Sequence, residues 1–241
     1  MNTTIQSPTS SCVGALVVVR SVGQKLLMAV TGVIAFGFVV GHMIGNLQIF
    51  LGQEQLNTYA EALQNLGGLL WLIRLSLFTF FAIHIWKGLQ VTFENWASRP
   101  VNYRYRQYVK AALTSRTMIW TGLMILAFVI YHLLHFTVQA TNPEFKDLTD
   151  SLGRHDVYSM IILGFQNAVV AIVYIIAIAL LCFHLSHAFS STFQTIGWAN
   201  SNTLPKIELL GYIIAVFVFI GYVSIPLSIL FGCVTLPQGG M

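Results

Sequence analysis

Five long apolar runs, separated by polar segments, dominate this sequence of 241 residues. Each run has the roughly 20 residues that an α-helix needs to cross a hydrocarbon core of about 30 Å. The pattern excludes a membrane β-barrel, because the strands of a barrel alternate in polarity over about ten residues. The chain is therefore predicted to be an all-α integral membrane protein, a five-transmembrane-helix bundle with helices over 25–50, 69–93, 117–138, 158–190 and 207–231.

The composition supports a membrane protein with one domain. Hydrophobic residues make up 56% of the chain and charged residues only 8%, far outside the range of soluble globular proteins. No proline- or glycine-rich linker and no low-complexity tract divides the sequence, so residues 1–241 are predicted to form a single domain. The three cysteines, Cys12, Cys182 and Cys233, are widely spaced, which supports neither a disulfide framework nor a thiolate metal site.

The basic residues fall on one predicted side of the membrane. They cluster before the first run and between the second and third runs, whereas the segments after the first and third runs are mainly acidic. The positive-inside rule then places the N-terminus in the cytoplasm and the C-terminus outside, in the inner (cytoplasmic) membrane of the cell. The basic segment over 102–108 alternates tyrosine and arginine. We interpret it as a docking surface for a soluble partner or anionic membrane lipid rather than for nucleic acid.

Each of the first four runs contains a histidine whose depth in the membrane follows from the helix rise of 1.5 Å per residue. His42 and His132 are predicted to lie about 24–25 Å from the inner surface, near the outer side. His84 and His184, on descending helices, are predicted to lie about 22–25 Å from the outer surface, near the inner side. An imidazole in hydrocarbon costs a few kcal/mol unless it is satisfied, so four of them at two levels require a common explanation.

Two haems, each bound by one histidine pair, provide that explanation. A bis-histidine haem has no open coordination position and serves electron transfer. Glycines beside the histidines would leave room for a flat macrocycle, although the series Gly37, Gly41 and Gly45 is equally typical of close helix packing. His135 and His187 each follow a ligand candidate by three positions, a spacing that could also bind zinc or iron directly. A direct metal site would, however, gather its ligands at one depth.

The sequence resembles the di-haem cytochrome b membrane anchor of the bacterial succinate dehydrogenase and fumarate reductase family. The motifs that carry the resemblance are Thr31-Gly32 leading to Gly41-His42, His84 with Lys87-Gly88, the segment over 131–136, and the segment over 183–187 continuing to 193–198. The resemblance covers nearly the whole chain. It implies two haems b bound by His42, His84, His132 and His184. It also implies a flavoprotein and an iron–sulfur protein as partner subunits on the cytoplasmic face.

In this interpretation, electrons from the iron–sulfur subunit pass through the inner and outer haems to a membrane quinone, for which the resemblance indicates menaquinone. The chain is then part of an enzyme but cannot oxidise succinate alone, and the complex can form higher oligomers.

Some family members have an acidic residue in the fourth helix near the ligand, and the turn over 179–182 has none. Candidate contacts to haem propionates or quinone are Arg20, Lys25, Lys87, Arg116, His135 and His187. Candidate outer quinone contacts are Glu61, Gln64, Asn65 and Arg74.

Three alternatives share the four-histidine pattern. Another di-haem transmembrane cytochrome b, linked to ascorbate or to a hydrogenase, would lack the flavoprotein partner. A membrane metal-binding protein or transporter would bind zinc or iron without porphyrin. A structural anchor that has lost its haem would be colourless.

Overall fold

The computed structural model describes residues 9–97 and 113–237, and it describes side chains over 22–97 and 117–237. The described chain is helical, without a β-strand in these ranges apart from one isolated bridge between Thr149 and His155. The α-helices in this described part of the chain are α1 (Thr9–Leu47), α2 (Gln53–Gln64), α3 (Gly68–Ala97), α4 (Leu113–His132), α5 (Val157–Gln166), α6 (Ala168–Thr195) and α7 (Leu204–Leu230).

Within the described residues, five helical segments are long and apolar enough to cross a membrane. They are Val22–Leu51, Gly68–Ala97, Thr117–Thr137, Ala168–Thr195 and Leu204–Leu230. Their outward faces carry large exposed hydrophobic side chains such as Phe78, Trp86 and Phe217. Such faces would be costly in water and are favourable against lipid. The predicted five-helix membrane bundle is therefore confirmed.

The bundle is organised around α6. This helix packs against α1, α4 and α7, and α7 also contacts α1. Met43 of α1 is almost fully buried and packs directly against Gly221 of α7. A side chain at position 221 would collide with the Met43 side chain, so glycine allows this contact. In contrast, α3 packs mainly on α1 and has no buried residue along its length. The helix that carries His84 is therefore at the edge of the bundle.

The region predicted as one fourth helix consists of two helices. α5 ends at Gln166, and Asn167, in an extended conformation, accepts hydrogen bonds from the backbone N–H groups of Val169 and Val170 at the start of α6. An asparagine that satisfies free N–H groups favours a helix start at this point. With ten residues, α5 is about 15 Å long, too short to cross the membrane.

α2 lies in a segment for which the sequence predicted only a polar loop. It is tied to the start of α5 by a group of polar side chains that we call the polar cap: Gln53, Asn57, Asp150, Arg154 and Asp156. Asp156 accepts hydrogen bonds from Gln53 (2.8 Å) and Asn57 (2.9 Å), and from the backbone N–H of Ser159 at the start of α5. Arg154 donates to Asp150 (2.8 Å) and to Glu54 of α2 (2.8 Å).

The charges in the polar cap are stabilised by these hydrogen bonds. Burial raises the pKa of Asp156, but donors from Ser159, Asn57 and Gln53 outweigh burial, and the net pKa lies below its ordinary value. The same balance, with Arg154 as the main donor, lowers the pKa of Asp150. Both carboxyl groups are therefore ionised at neutral pH and hold α2 against the start of α5.

Candidate functional site

The four helix histidines meet in two pairs. The ring centroids of His42 on α1 and His132 on α4 are 5.9 Å apart, with an angle of 83° between the ring planes. The centroids of His84 on α3 and His184 on α6 are 6.4 Å apart, with an angle of 70°. The structure thus brings together the same two pairs that were predicted from helix depth.

The two pairs lie at different levels of the bundle. Thr31, which contacts His84, precedes His42 by eleven positions on α1. Tyr174, which contacts His132, precedes His184 by ten positions on α6. Both helices therefore give a separation of about 15–17 Å between the pairs along the bundle axis.

The His84/His184 pair is held in the same way on both sides. The Nδ1 atom of His84 lies 3.3 Å from the Thr31 hydroxyl and 3.2 Å from the Met28 carbonyl. The Nδ1 atom of His184 lies 3.2 Å from the Thr121 hydroxyl, and its ring also hydrogen-bonds the backbone of Met118. The contacts to His84 come from α1 and those to His184 come from α4, which is in each case the preceding membrane-spanning helix.

These contacts determine which ring nitrogen carries the proton. Thr31 donates its own hydroxyl hydrogen to the carbonyls of Leu27 and Met28, and a carbonyl can only accept. Nδ1 of His84 must therefore be the donor, and the same argument holds for His184 beside Thr121. Neutral imidazole then has a free lone pair at Nε2, the state that a metal ligand requires.

Thr121 was not predicted from the sequence. Its signal is a repeat: threonine-glycine stands eleven positions before the histidine in both α1 and α4, as Thr31-Gly32 before His42 and as Thr121-Gly122 before His132. The glycines are adjacent to the rings, because a Cβ at Gly32 would lie 3.2 Å from Cε1 of His84 and one at Gly122 would lie 3.5 Å from Cε1 of His184.

The His42/His132 pair has different surroundings on its two sides. His42 stacks on Phe38 with ring centroids 5.3 Å apart, and the side-chain amide of Asn46 lies 3.3–3.4 Å from its ring nitrogens while donating to the His42 carbonyl. On the other side, the Nδ1 atom of His132 lies 3.3 Å from the hydroxyl of Tyr174. Tyr174 was not predicted either, because nothing in its apolar run marks its orientation.

The predicted haem or quinone contacts differ in placement. His135 is 1% exposed and its Nδ1 lies 3.0 Å from the Tyr174 hydroxyl. His187 is half-buried and interacts electrostatically with Glu208 of α7. Lys25 is exposed, and Lys87 donates to Gln90 (2.9 Å) within α3. The side chains of Arg20 and Arg116 lie outside the described residues, as does the basic segment over 102–108.

The predicted quinone contacts lie at the end of α2 and the start of α3. Glu61, Gln64, Asn65 and Arg74 are all exposed. Glu61 lies 3.9 Å from Arg154 of the polar cap, and Arg74 lies over the ring of Trp71, 5.2 Å from its centroid. His155, in the loop before α5, hydrogen-bonds Gln139 (3.2 Å) and the Leu148 carbonyl (3.2 Å).

The geometry fits a metal held between two imidazoles. Two rings that bind one metal from opposite sides, through bonds of about 2 Å, have centroids about 6 Å apart. In the described part of the chain, no group of three or more His, Cys, Asp or Glu side chains forms a direct metal site.

Among the glycines of the packing series, Gly45 is close to Tyr59, whereas no described atom lies within 4 Å of a Cβ at Gly37 or Gly41.

Part of the chain matches a known protein family. Residues 25–114 match the family described as the succinate dehydrogenase/fumarate reductase transmembrane subunit. The matched range contains α3 with His84 and the part of α1 that carries Thr31 and His42. No curated protein and no solved structure matches the chain. Over residues 25–114, which are less than half of the chain, the match agrees with the family predicted from the sequence.

Proposed function

We propose that the chain is a member of the succinate dehydrogenase/fumarate reductase transmembrane subunit family, which the match over residues 25–114 supports, and that it carries electrons between an iron–sulfur partner subunit and a membrane quinone. The single observation that carries this proposal is the pair of neighbouring imidazoles at each of two levels. Two levels about 15–17 Å apart would divide the membrane crossing into shorter electron transfers.

In this proposal the four histidines would hold two haems b. His42 and His132 hold one, and His84 and His184 hold the other. The Nδ1 hydrogen bonds of His84 and His184 support this role, since they orient the rings and leave Nε2 free. A bound haem supplies reversible one-electron oxidation and reduction at its iron.

The partners and orientation are part of the same proposal. A flavoprotein and an iron–sulfur subunit dock on the cytoplasmic face, next to the His84/His184 pair. Menaquinone binds toward the other face, where Glu61, Gln64, Asn65 and Arg74 are exposed and available to a quinone head group. The propionates of the haem on the cytoplasmic side would be neutralised by four cationic side chains: Lys25, Lys87, Arg20 and Arg116. The membrane is then the inner (cytoplasmic) membrane of the cell.

A reduced-minus-oxidised optical spectrum of the purified membrane complex tests this function directly. We expect two b-type haems per chain by pyridine haemochrome quantification, and a flavoprotein and an iron–sulfur protein that co-purify with the chain. The partners distinguish this complex from other di-haem cytochromes b. A colourless protein, or two haems without a flavoprotein partner, would contradict the proposal.

A further inference from the structure

One tyrosine hydroxyl joins two histidines beside the His42/His132 pair. The Tyr174 oxygen lies 3.3 Å from Nδ1 of His132 and 3.0 Å from Nδ1 of His135. A tyrosine hydroxyl has a single hydrogen, so it can donate to only one of the two nitrogens and must accept from the other. The three groups therefore form a chain of hydrogen bonds with a defined direction.

The direction follows from the role of His132. This step rests on the proposed function, in which Nε2 of His132 binds iron and its proton lies on Nδ1. Nδ1–H of His132 then donates to the Tyr174 oxygen, and the Tyr174 hydroxyl donates to Nδ1 of His135. We propose that Tyr174 is a positioning residue of the His42/His132 site, and that His135 acts on this site through Tyr174.

The packing around Tyr174 holds this geometry in place. Tyr174 is 4% exposed and meets the rings of Phe128 and Phe165 edge to face, with centroids 4.9 Å apart in each case. A π-helical turn over Leu133–Thr137 follows α4, and both His132 and His135 reach the same hydroxyl of α6. Turns of this kind are rare and are frequent at functional sites.

The opposite side of His135 is equally enclosed. Tyr131 stacks on the His135 ring with centroids 5.5 Å apart, and Phe136 lies 4.0 Å away. A Cβ at Gly164 of α5 would lie 2.8 Å from Cε1 of Phe136 and 3.3 Å from Cε1 of His135, so glycine lets α5 approach these two rings closely. His135 is thus buried beside Tyr174, and the shared hydroxyl joins it to His132.

The hydrogen bonds from His132 through Tyr174 to His135 affect how strongly His132 binds a metal. A hydroxyl that donates to His135 becomes a better acceptor for the Nδ1–H of His132, since hydrogen bonds in a chain polarise one another. A ligand histidine that donates to a good acceptor is a more basic ligand, which favours the oxidised metal. Tyr174 and His135 together therefore lower the midpoint potential of the haem at His42/His132.

The test uses the intact complex with Tyr174→Phe, which keeps the ring and removes the hydroxyl. We expect the midpoint potential of the His42/His132 haem to shift upward and its low-spin electron paramagnetic resonance signal to change. The other haem should keep both properties. Unchanged properties in both haems, or equal shifts in both, would overturn the proposal.

A double substitution tests whether His135 acts through the tyrosine. His135→Phe alone should give a smaller upward shift, and His135→Gln, which retains an acceptor, should restore part of it. Tyr174→Phe combined with His135→Phe should shift the potential no further than Tyr174→Phe alone. Additive shifts would instead mean that His135 acts independently, and would overturn its assigned role.

Tyr222→Phe is the matched control. Tyr222 also lies beside His42, but its hydroxyl donates to the Val39 carbonyl (2.6 Å) rather than bonding a histidine nitrogen. This variant should leave both midpoint potentials unchanged, and a shift equal to that of Tyr174→Phe would overturn the proposal. If the wild-type complex contains no haem, the proposed function itself fails. If the wild-type complex contains both haems but Tyr174→Phe changes neither midpoint potential, only the proposed role of Tyr174 fails.

Discussion

The two histidine pairs share their spacing but differ in what holds them. Both rings of the His84/His184 pair bond a threonine hydroxyl and the backbone of the preceding membrane-spanning helix, α1 for His84 and α4 for His184. The rings of the His42/His132 pair are held by unlike side chains, with Asn46 on one side and Tyr174 on the other. The His84/His184 site therefore depends on a threonine-glycine motif that occurs in both α1 and α4. The His42/His132 site depends instead on two unlike contacts, those of Asn46 and Tyr174.

The largest expected effect comes from removing a ligand. His42→Ala or His132→Ala should abolish one haem and spare the other, and His84→Ala or His184→Ala should do the reverse, so each variant retains about half of the haem b. Optical difference spectra with haem quantification measure this loss. His155→Ala, in a loop, is the control that should retain both haems. Depletion of the same haem by His42→Ala and His84→Ala would contradict the pairing.

A smaller effect tests the equivalence of the two threonines. Thr31→Ala and Thr121→Ala each remove one acceptor for a ring N–H, so the His84/His184 haem should become easier to reduce by about the value of one hydrogen bond, roughly 1 kcal/mol. Redox titration monitored at each haem measures the shift. Thr31→Ser and Thr121→Ser keep the hydroxyl and should behave as wild type. A shift confined to the His42/His132 haem would refute the assignment.

The smallest effect concerns acid, which should disturb the His42/His132 end first. The lowered pKa values of Asp150 and Asp156 mean that the polar cap is fully stabilised above the ordinary carboxyl pKa and loses this stabilisation as the pH falls through the lower folded-state values. We expect the spectrum of the His42/His132 haem to change below about pH 4 while the other haem is still intact. Acid titration of the difference spectrum measures the order of these changes.

Asp156→Asn provides the comparison for this titration. It removes the charge that Gln53 and Asn57 satisfy, so the variant should unfold more easily at pH 7 by about 1–3 kcal/mol and respond less to acid than wild type. Simultaneous loss of both haems in wild type as the pH falls would argue against a local role of the polar cap.

The membrane helices and the depth of the histidines could be predicted because both depend on properties local to one run. Hydropathy determines whether a run crosses the membrane, and the fixed rise per residue gives the level of His42 or His184 without any knowledge of neighbouring helices. The same local signals missed the end of α5, because a single Asn167 inside an apolar run changes hydropathy very little.

The contacts between helices could not be predicted in the same way. Which residue of α6 meets His132 depends on how α4 and α6 are rotated, and an apolar run that faces lipid on one side and protein on the other leaves that rotation open. The π-helical turn after His132 changes the rotation once more, which brings His135 to Tyr174. Only the repeated threonine-glycine motif carried a readable signal, in Thr31 and Thr121.

The position of α3 at the edge of the bundle has a consequence for assembly. α3 has no buried residue and packs mainly on α1, so side-chain packing alone fixes it weakly to the other helices. A haem bound between His84 and His184 would join α3 to α6, and its binding free energy would add to the stability of the folded bundle. Insertion of this cofactor would then be the step that completes the tertiary structure, and the supply of haem would control how much mature subunit the cell accumulates.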